Sequence, residues 1–285
     1  MPFPDVPPFV DTRRYPIYKS QSTALEDISC TVQAQIAQGG CAVLPGFVSP
    51  EHLPQVAAEV ASLASKAYFS KAEATVYGRD PDESFPAGHP QRRVLVRHNG
   101  FVHGDLIGRE TCLRALYHNK AVKRFLAQCL GLPELHEFAD PLAQLVINVV
   151  KPNDNHAWHF DSNDFVVTLM TQAAETGGEF QYVPDLRRPG HENYDGVRAI
   201  LEGSEAGVYS LDLRPGDLQL FFGRYSLHRV QPTTGARDRL TAVFSYSRSS
   251  DFIGTAGKTA KIYGRKLAVH DTHERDRRHP DQLVD

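Results

Sequence analysis

Three side chains in the second half of the chain are suited to binding one metal ion. His159 and Asp161 are two residues apart in NHAWHFDSNDFVV, so on a β-strand both point to the same face. A second imidazole, His228, lies in FFGRYSLHRVQP. Two histidines and a carboxylate that cover one face of an octahedron leave the opposite positions open, and such donors suit iron(II). The three residues therefore predict a mononuclear non-haem iron(II) site that admits a chelating cosubstrate and dioxygen.

An H-x-D pair alone occurs often by chance, so the interpretation depends on its surroundings. Arg239 follows His228 with ten residues between them, and Thr241 comes two residues later. A guanidinium and a hydroxyl on one strand face form a good receptor for a carboxylate. We therefore expect Arg239 and Thr241 to bind the far end of a dicarboxylate.

Together these motifs resemble the iron(II)- and 2-oxoglutarate-dependent dioxygenases of double-stranded β-helix fold. The resemblance spans residues 140–248 and includes His159-x-Asp161, the turn and strand RPGDLQLF, His228 and Arg239-x-Thr241. It implies iron(II), 2-oxoglutarate and O2 as cofactor and cosubstrates. It also implies that Arg239 and Thr241 bind the distal carboxylate of 2-oxoglutarate.

Within that family, HAWHFD, GGEFQYVPDLR and GDLQLFFGRYSLHRV are most similar to the bacterial branch of free-amino-acid radical halogenases and their hydroxylase relatives. The halogenases lack the carboxylate ligand, which leaves a coordination position for chloride. Because Asp161 is present here, the resemblance implies hydroxylation of an unactivated C–H bond of a free amino acid or a derivative. Desaturation or ring closure, such as aziridine formation, is an alternative outcome of the same chemistry. A cupin-type metal-binding protein without 2-oxoglutarate is a second alternative, against which Arg239 and Thr241 argue.

Candidate substrate contacts lie close to the metal ligands. The resembled branch has a histidine near the substrate at the position of His156, and Trp158 is the next candidate. Its lysine-recognising members carry an acidic residue directly after the metal-binding triplet, where this chain has Ser162. The resemblance therefore disfavours lysine as the substrate.

Further contacts are expected from two other segments. An amino-acid substrate needs a cation for its carboxylate, and Arg92, Arg93 and Arg97 are the candidates. Asn148 faces the same side of a predicted strand as Gln144 and Val146, so it is expected to contact the cosubstrate or the substrate. The loop after Gly177, rich in glycine, proline and charge, is a candidate lid.

The secondary-structure elements that must position these residues are predicted to be helices in the first half of the chain and strands in the second half. Helical spacing predicts helices over 22–38, 49–69 with Ser49 as N-cap, and 110–130. Residues 72–110 are predicted to be mainly loop, with only the run Arg92–His98 resembling a strand. Alternation and β-branched residues predict eight strands, which suit a jelly roll. These strands cover residues 144–150, 157–161, 165–171, 178–182, 207–212, 217–222, 226–230 and 239–246.

We therefore expect a mainly β, cupin-like jelly roll with supporting N-terminal helices, as one catalytic domain over residues 1–285. Its parts are an arm (1–20), a mainly helical support (21–135), the jelly-roll core (140–248) and a C-terminal extension (249–285) whose polar end is solvated.

Composition limits the partners. The formal net charge of −3 gives no broad reason to bind nucleic acid, so a small-molecule partner, an amino acid by the resemblance, is expected. No apolar stretch is long enough to span a membrane and the start lacks a signal-peptide centre, which favours the cytoplasm. The four cysteines form no C-x-x-C pair and are expected to be buried thiols. The N-terminal helices are a candidate surface for a homodimer.

Overall fold

The computed structural model describes residues 8–19, 22–273 and 281–284. Within them the helices are α1 Thr23–Gly39, α2 Leu53–Leu63, α3 Cys112–His118, α4 Lys120–Cys129, α5 Tyr194–Leu201, α6 Ala256–Tyr263 and α7 Ala268–His273. The strands are β1 Cys41–Leu44, β2 Tyr68–Ala74, β3 Leu95–Val102, β4 His136–Glu137, β5 Leu145–Val150, β6 His156–His159, β7 Val166–Gln172, β8 Thr176–Gly177, β9 Phe180–Val183, β10 Tyr209–Leu211, β11 Leu218–Phe221, β12 Leu227–Val230, β13 Thr233–Thr234, β14 Arg239–Phe244 and β15 Tyr246–Ser247.

Two antiparallel sheets form the centre of the molecule. The larger has the order β1-β11-β7-β14-β5-β3-β2, and the smaller has the order β10-β9-β12-β6. Apolar side chains from both sheets pack between them, including Val150 and Met170 from the larger sheet and Phe180 and Val230 from the smaller one. This arrangement confirms the predicted mainly β, jelly-roll fold with supporting helices.

The helices of the first half cover the outer face of the larger sheet. Leu145, Ile147 and Val149 of β5 belong to the same buried cluster as side chains of α1, α2, α3 and α4. Val146 and Asn148 alternate with them and line the interior cavity instead. Because side chains alternate along β5, one face of this strand packs against the helices and the other face lines the functional site.

Each of the eight predicted strands is present, with ends displaced by one or two residues. The helix predicted over 49–69 is wrong at both ends. It begins at Leu53 with His52 as its N-cap, while the Ser49 hydroxyl bonds to the His52 ring. Its predicted last residues, Tyr68 and Phe69, start β2, which pairs with β3; β3 overlaps the strand-like run Arg92–His98 and extends beyond it to Val102, into the stretch predicted as loop. These strands owe their conformation to pairing across the sheet, which local helical spacing does not reveal.

Residues near both ends of the chain pack against the body of the protein. Residues 1–7 and 20 of the predicted arm lie outside the described residues, but Val10, Tyr15 and Ile17 are buried in the main core. Near the other end, His270 is fully buried and its Nε2 lies 3.2 Å from Asp140 Oδ2. The expectation of a solvated end is therefore wrong for His270.

Two other findings bear on the sequence predictions. Cys41, Cys112 and Cys129 are buried thiols as expected, whereas Cys30 is exposed on the outer side of α1. Among the helices that the structure describes, none combines the length and the apolarity needed to cross a membrane.

Candidate active site

The three predicted ligands, called the metal triad below (His159, Asp161 and His228), lie together on the smaller sheet. His159 of β6 and His228 of β12 are direct partners in the antiparallel register, so their imidazoles stand side by side with ring centroids 4.0 Å apart. Asp161 follows β6, and its Oδ1 lies 3.7 Å from His159 Nε2 and 3.6 Å from His228 Nε2. One donor atom from each residue lies within 4.8 Å of the others. Two imidazole nitrogens and a carboxylate at this separation fit an iron(II) ion.

Backbone carbonyls orient both imidazoles. His159 Nδ1 lies 2.8 Å from Ala157 O, and His228 Nδ1 lies 3.0 Å from Ser226 O. Since a carbonyl can only accept, each Nδ1 must carry the hydrogen and each Nε2 presents its lone pair toward Asp161. Such outer partners of metal-binding histidines fix both the tautomer and the ring orientation.

The protonation states of the triad also favour a metal ion. Burial, with a further contribution from the neighbouring His228, lowers the pKa of His159 to about 3. Burial alone would raise the pKa of Asp161, but the adjoining His228 and His159 outweigh it, so this pKa lies below its ordinary value. At neutral pH His159 is therefore neutral and Asp161 is ionised, which are the forms that bind metal.

A glycine provides the space for the carboxylate. Asp161 N–H donates to Gly223 O at 3.0 Å, and a Cβ placed on Gly223 would lie only 1.9 Å from Asp161 Oδ2. The site therefore requires glycine at position 223 for steric reasons. Behind the triad, the guanidinium of Arg187 lies 4.1 Å from the ring centroid of Phe160, the residue between the two ligands on the chain.

The predicted cosubstrate residues line the same cavity. Arg239 is 3% exposed; its Nε donates to Gly178 O at 2.9 Å and its Nη1 to Thr241 Oγ1 at 2.7 Å. Burial lowers the pKa of Arg239 to about 10, so the guanidinium stays charged at neutral pH. Asn148 is the register partner of Thr241 and accepts a hydrogen bond from Asn99 at 2.6 Å. A buried cation beside a hydroxyl fits the distal carboxylate of 2-oxoglutarate.

The metal triad stands where two adjoining cavities meet. The larger cavity, about 800 Å3, contains the triad together with Arg239, Thr241 and Asn148. The smaller cavity, about 250 Å3, extends from the triad toward Arg97 and β2. Together they offer space typical of a small-molecule site.

Four of the predicted substrate residues line these cavities. His156 stacks on His159 with ring centroids 4.0 Å apart, and both His156 and Ser162 border the two cavities. Trp158 lines the smaller cavity, where the Arg229 guanidinium lies 4.6 Å from its ring centroid. Arg97 also lines the smaller cavity and is considered next.

Two of the candidate arginines differ in position. Arg97 is on β3; its Nη2 lies 3.3 Å from Ser70 Oγ, and its buried Nε has no hydrogen-bond partner in the described part of the chain. Burial lowers the pKa of Arg97. Arg93 lines neither cavity, because it precedes β3 and lies outside the paired stretch that reaches the interior. The prediction of a substrate contact is therefore not supported for Arg93.

Sequence reasoning missed one wall of the site. Helix α6 contributes Lys258, Thr259 and Tyr263 to the larger cavity, and Thr255 caps the helix by accepting from Lys258 N. The run TAGKTAKIY does contain a helix start signal, Thr255, but nothing in it indicates a cavity. Of the predicted lid, which starts at Gly177, Phe180 lines the larger cavity, whereas residues 184–206 line neither cavity and Arg187 among them is fully buried behind the triad.

Solved structures of known enzymes share this architecture. The alpha ketoglutarate dependent epimerase SnoN from nogalamycin biosynthesis, solved with Fe3+ and alpha ketoglutarate, is 17% identical with a TM-score of 0.53, covering 78% of this chain and 84% of SnoN. The carbocyclase SnoK from the same biosynthesis is 15% identical with a TM-score of 0.53, over 78% and 85%. A 2OG-Fe(II) oxygenase family oxidoreductase from Burkholderia pseudomallei is 16% identical with a TM-score of 0.50, over 79% and 92%.

Sequence comparison gives the family. No curated protein matches the chain. The family model described as Halogenase D matches residues 26–261, which include the metal triad, Arg239 and the first six residues of helix α6. The chain therefore belongs to the Halogenase D family and is an oxidoreductase of the iron(II)- and 2-oxoglutarate-dependent oxygenase class.

Proposed function

We propose that this oxygenase hydroxylates an unactivated C–H bond of a free amino acid or a close derivative. The observation that supports hydroxylation over halogenation is the Asp161 carboxylate, which lies within 3.7 Å of both triad Nε2 atoms. A carboxylate in this place fills the coordination position that a halide would need. The name of the family, Halogenase D, describes halogenation, and that chemistry requires this coordination position to be open.

The protein's own residues have separate tasks in this proposal. Arg239 and Thr241 bind the distal carboxylate of 2-oxoglutarate, and the triad binds iron(II) through His159 Nε2, His228 Nε2 and a carboxylate oxygen. When bound, iron(II) with 2-oxoglutarate and dioxygen supplies the oxidising power that removes hydrogen from an unactivated carbon. The apolar walls formed by Phe180, Phe221 and Val230 restrict water around the reacting carbon.

Arg97 supports an amino acid as the substrate. Its guanidinium is largely withdrawn from solvent and lines the smaller cavity together with His156 and His159. Arginine in such a place forms a bidentate receptor for a carboxylate. A carboxylate bound there leaves the rest of the substrate to extend toward the triad, so Arg97 positions the carbon chain for attack.

Titration under anaerobic conditions tests cofactor use first. Addition of 2-oxoglutarate to the iron(II)-loaded protein should produce the weak visible charge-transfer band of the chelate. Its absence in folded, iron-loaded protein would contradict the oxygenase assignment and favour a cupin-type metal-binding protein.

An amino-acid panel then tests the reaction. Succinate release identifies a substrate, and product mass distinguishes hydroxylation, which adds an oxygen atom, from desaturation or ring closure, which remove two hydrogens. Arg97→Gln should weaken amino-acid binding by roughly ten- to a hundredfold, as expected for loss of a charge-assisted hydrogen bond. Arg93→Gln is the matched control and should leave binding unchanged, since Arg93 lines neither cavity.

A further inference from the structure

Thr75 and Tyr77 border the smaller cavity beside the metal triad. Between them, Val76 O accepts a hydrogen bond at 2.8 Å from the N–H of Phe160, which lies between two members of the triad along the chain. The Tyr77 ring stacks on the Phe160 ring with centroids 5.7 Å apart and an interplanar angle of 17°. A turn also holds this segment, because Gly78 N–H donates to Thr75 O at 2.9 Å. The fold therefore fixes Thr75 and Tyr77 next to the triad.

The hydroxyls of both residues are buried and have no hydrogen-bond partner in the described part of the chain. Thr75 is 4% exposed and Tyr77 is 2% exposed. Among the described residues, five buried side-chain atoms lack a partner, and three of them, Thr75 Oγ1, Tyr77 Oη and Arg97 Nε, belong to residues that line the smaller cavity. The other two are on Asn99 and Asn155, which line neither cavity beside the triad. Since most buried polar groups in proteins are bonded, three such atoms around one cavity indicate a ligand that binds them.

The chemistry of the three groups indicates which parts of a ligand they bind. Burial raises the pKa of Tyr77 well above its ordinary value, so the phenol keeps its proton at neutral pH. The hydroxyls of Thr75 and Tyr77 each have two lone pairs that accept hydrogen bonds, whereas the Arg97 guanidinium has donors only. The smaller cavity thus combines acceptors for N–H groups with donors for carboxylate oxygens.

We propose that the hydroxyls of Thr75 and Tyr77 bind the α-nitrogen of the substrate by accepting hydrogen bonds from its N–H groups. This inference rests on the proposed function, because it takes Arg97 as the receptor for the α-carboxylate. The α-nitrogen and the α-carboxylate share one carbon, so the groups that bind them must line one small cavity, as these three residues do. Thr75 and Tyr77 are thereby specificity-determining residues. They select 2-amino acids over acids without the nitrogen, which would leave both buried hydroxyls unpaired.

The α-nitrogen of the substrate can be a free amino group or an amide nitrogen, since both carry N–H donors. Thr75 and Tyr77 also line a third cavity of about 310 Å3, together with residues 79–83, Gln91 and Val284. This cavity gives room for an acyl group on the nitrogen. The binding experiment therefore includes both forms of the nitrogen.

Binding measurements on matched acids test this proposal without turnover. Anaerobic protein loaded with iron(II) and 2-oxoglutarate is titrated calorimetrically with leucine, glutamine and lysine. The matched acids are 4-methylpentanoate, 4-carbamoylbutanoate and 6-aminohexanoate, which lack only the α-nitrogen. The Nα-acetyl derivatives of the three amino acids show whether the nitrogen is free or acylated. The form that binds should do so about tenfold or more tightly than its matched acid, the effect of a hydrogen bond to a charged group or of two to an uncharged one.

Substitutions that remove only a hydroxyl sharpen the test. Thr75→Val and Tyr77→Phe should each lower the preference for the α-nitrogen, and the double variant should abolish it. Thr171→Val and Tyr246→Phe are matched controls, because these buried hydroxyls donate to backbone carbonyls at 3.0 and 2.8 Å and line neither cavity beside the triad. The controls should keep the preference. The 2-oxoglutarate charge-transfer band should persist in all variants, which shows that the metal triad is intact.

Thermal unfolding of the ligand-free protein distinguishes a binding role from a structural one. The two control variants each lose a hydrogen bond within the fold, so their unfolding midpoints should fall. Thr75→Val and Tyr77→Phe lose no such bond, and their midpoints should stay unchanged or rise, because a polar atom buried without a partner is destabilising. Midpoints that fall as far as in the controls would show that the fold itself uses these hydroxyls and would overturn the proposal.

The outcomes separate this inference from the proposed function. Equal binding of the amino acids and their matched acids by the wild type, or a preference that survives in the double variant, would overturn the roles of Thr75 and Tyr77. Carboxylate binding through Arg97 would then stand and would still be weakened in Arg97→Gln. No binding of any of these acids, despite a normal 2-oxoglutarate band, would overturn the proposed function itself and this inference with it.

Discussion

Two regions around the metal triad are built in different ways. The inner end comprises the triad and Arg239, and the outer end is the smaller cavity. At the inner end, the imidazoles of the metal triad and the guanidinium of Arg239 come from paired strands and bond to backbone carbonyls. At the outer end, Arg97 Nε, Thr75 Oγ1 and Tyr77 Oη are buried without a hydrogen-bond partner in the described part of the chain, and all three residues line the smaller cavity. Most buried polar groups in proteins are bonded. The inner end is thus set by the protein alone, whereas the outer end has polar capacity left for a ligand.

This difference separates chemistry from specificity. Substitutions at the inner end should remove metal or cosubstrate binding whatever the substrate is. Substitutions at the outer end should change which molecule binds and leave the cofactor chemistry intact. The predictions below test the inner end, from the largest expected effect to the smallest.

Asp161→Ala should abolish hydroxylation, because the triad loses its carboxylate ligand and binds iron(II) more weakly. Iron stoichiometry after anaerobic gel filtration, together with succinate release, measures the effect. Asp164→Ala is the control: this nearby carboxylate pairs with the half-exposed Arg248 and is not part of the triad. Normal turnover by Asp161→Ala would contradict the assignment of Asp161 as a ligand.

Arg239→Ala should weaken 2-oxoglutarate binding by roughly a hundredfold or more, because a buried charged partner contributes about 2–5 kcal/mol to such a contact. Titration of the charge-transfer band measures this constant directly. Arg237→Ala is a suitable control, since Arg237 is exposed and bonds to Ala173 O outside the cavity. An unchanged 2-oxoglutarate affinity in Arg239→Ala would show that the cosubstrate carboxylate binds elsewhere.

Gly223→Ala should lower iron(II) affinity by about ten- to a hundredfold, the usual effect of disturbing a group that positions a ligand. A Cβ at this position would lie 1.9 Å from Asp161 Oδ2, so the carboxylate must move away from both imidazoles. Competition with a coloured chelator gives the affinity. Gly88→Ala is the control because a Cβ there meets no atom within 4 Å. Equal iron affinity in the two variants would mean that Asp161 is not held against Gly223.

The inner end could be predicted from the sequence because side chains two residues apart on a strand point to the same face. His159-x-Asp161 and Arg239-x-Thr241 each place two side chains on one strand face, and the structure brings all four into one cavity. The sequence could not predict that His159 and His228 are direct register partners. It did predict that the two residues lie close together, because a turn and a strand precede His228.

The outer end could not be predicted because it joins segments that are far apart in sequence. Lys258 meets Ser162 across 96 residues, and no periodicity links a helix near the C-terminus to a loop after β6. Arg93 and Arg97 could not be separated either, since pairing with β2 and β5, not local pattern, decides which residue reaches the interior. Isolated charged residues carry no signal for the direction in which they point.

The smallest effect on chemistry is expected from the ion pair behind the triad. Arg224 is fully buried, donates to Ser162 O at 3.0 Å and binds both carboxylate oxygens of Asp281 at 2.5 and 2.7 Å. Asp281→Asn should lower the free energy of unfolding by about 3 kcal/mol, because it removes a carboxylate that binds a buried guanidinium through two hydrogen bonds.

Asp195→Asn provides the comparison for that variant, because Asp195 pairs with Arg198 on the surface and its loss should cost no more than about 1 kcal/mol. Denaturant unfolding measures both variants. Iron affinity should change by less than about tenfold in Asp281→Asn, since the two imidazoles of the triad remain bonded to their own backbone carbonyls. A loss of iron binding as large as that in Gly223→Ala would mean that the Arg224–Asp281 pair, as well as Gly223, fixes the position of the triad carboxylate.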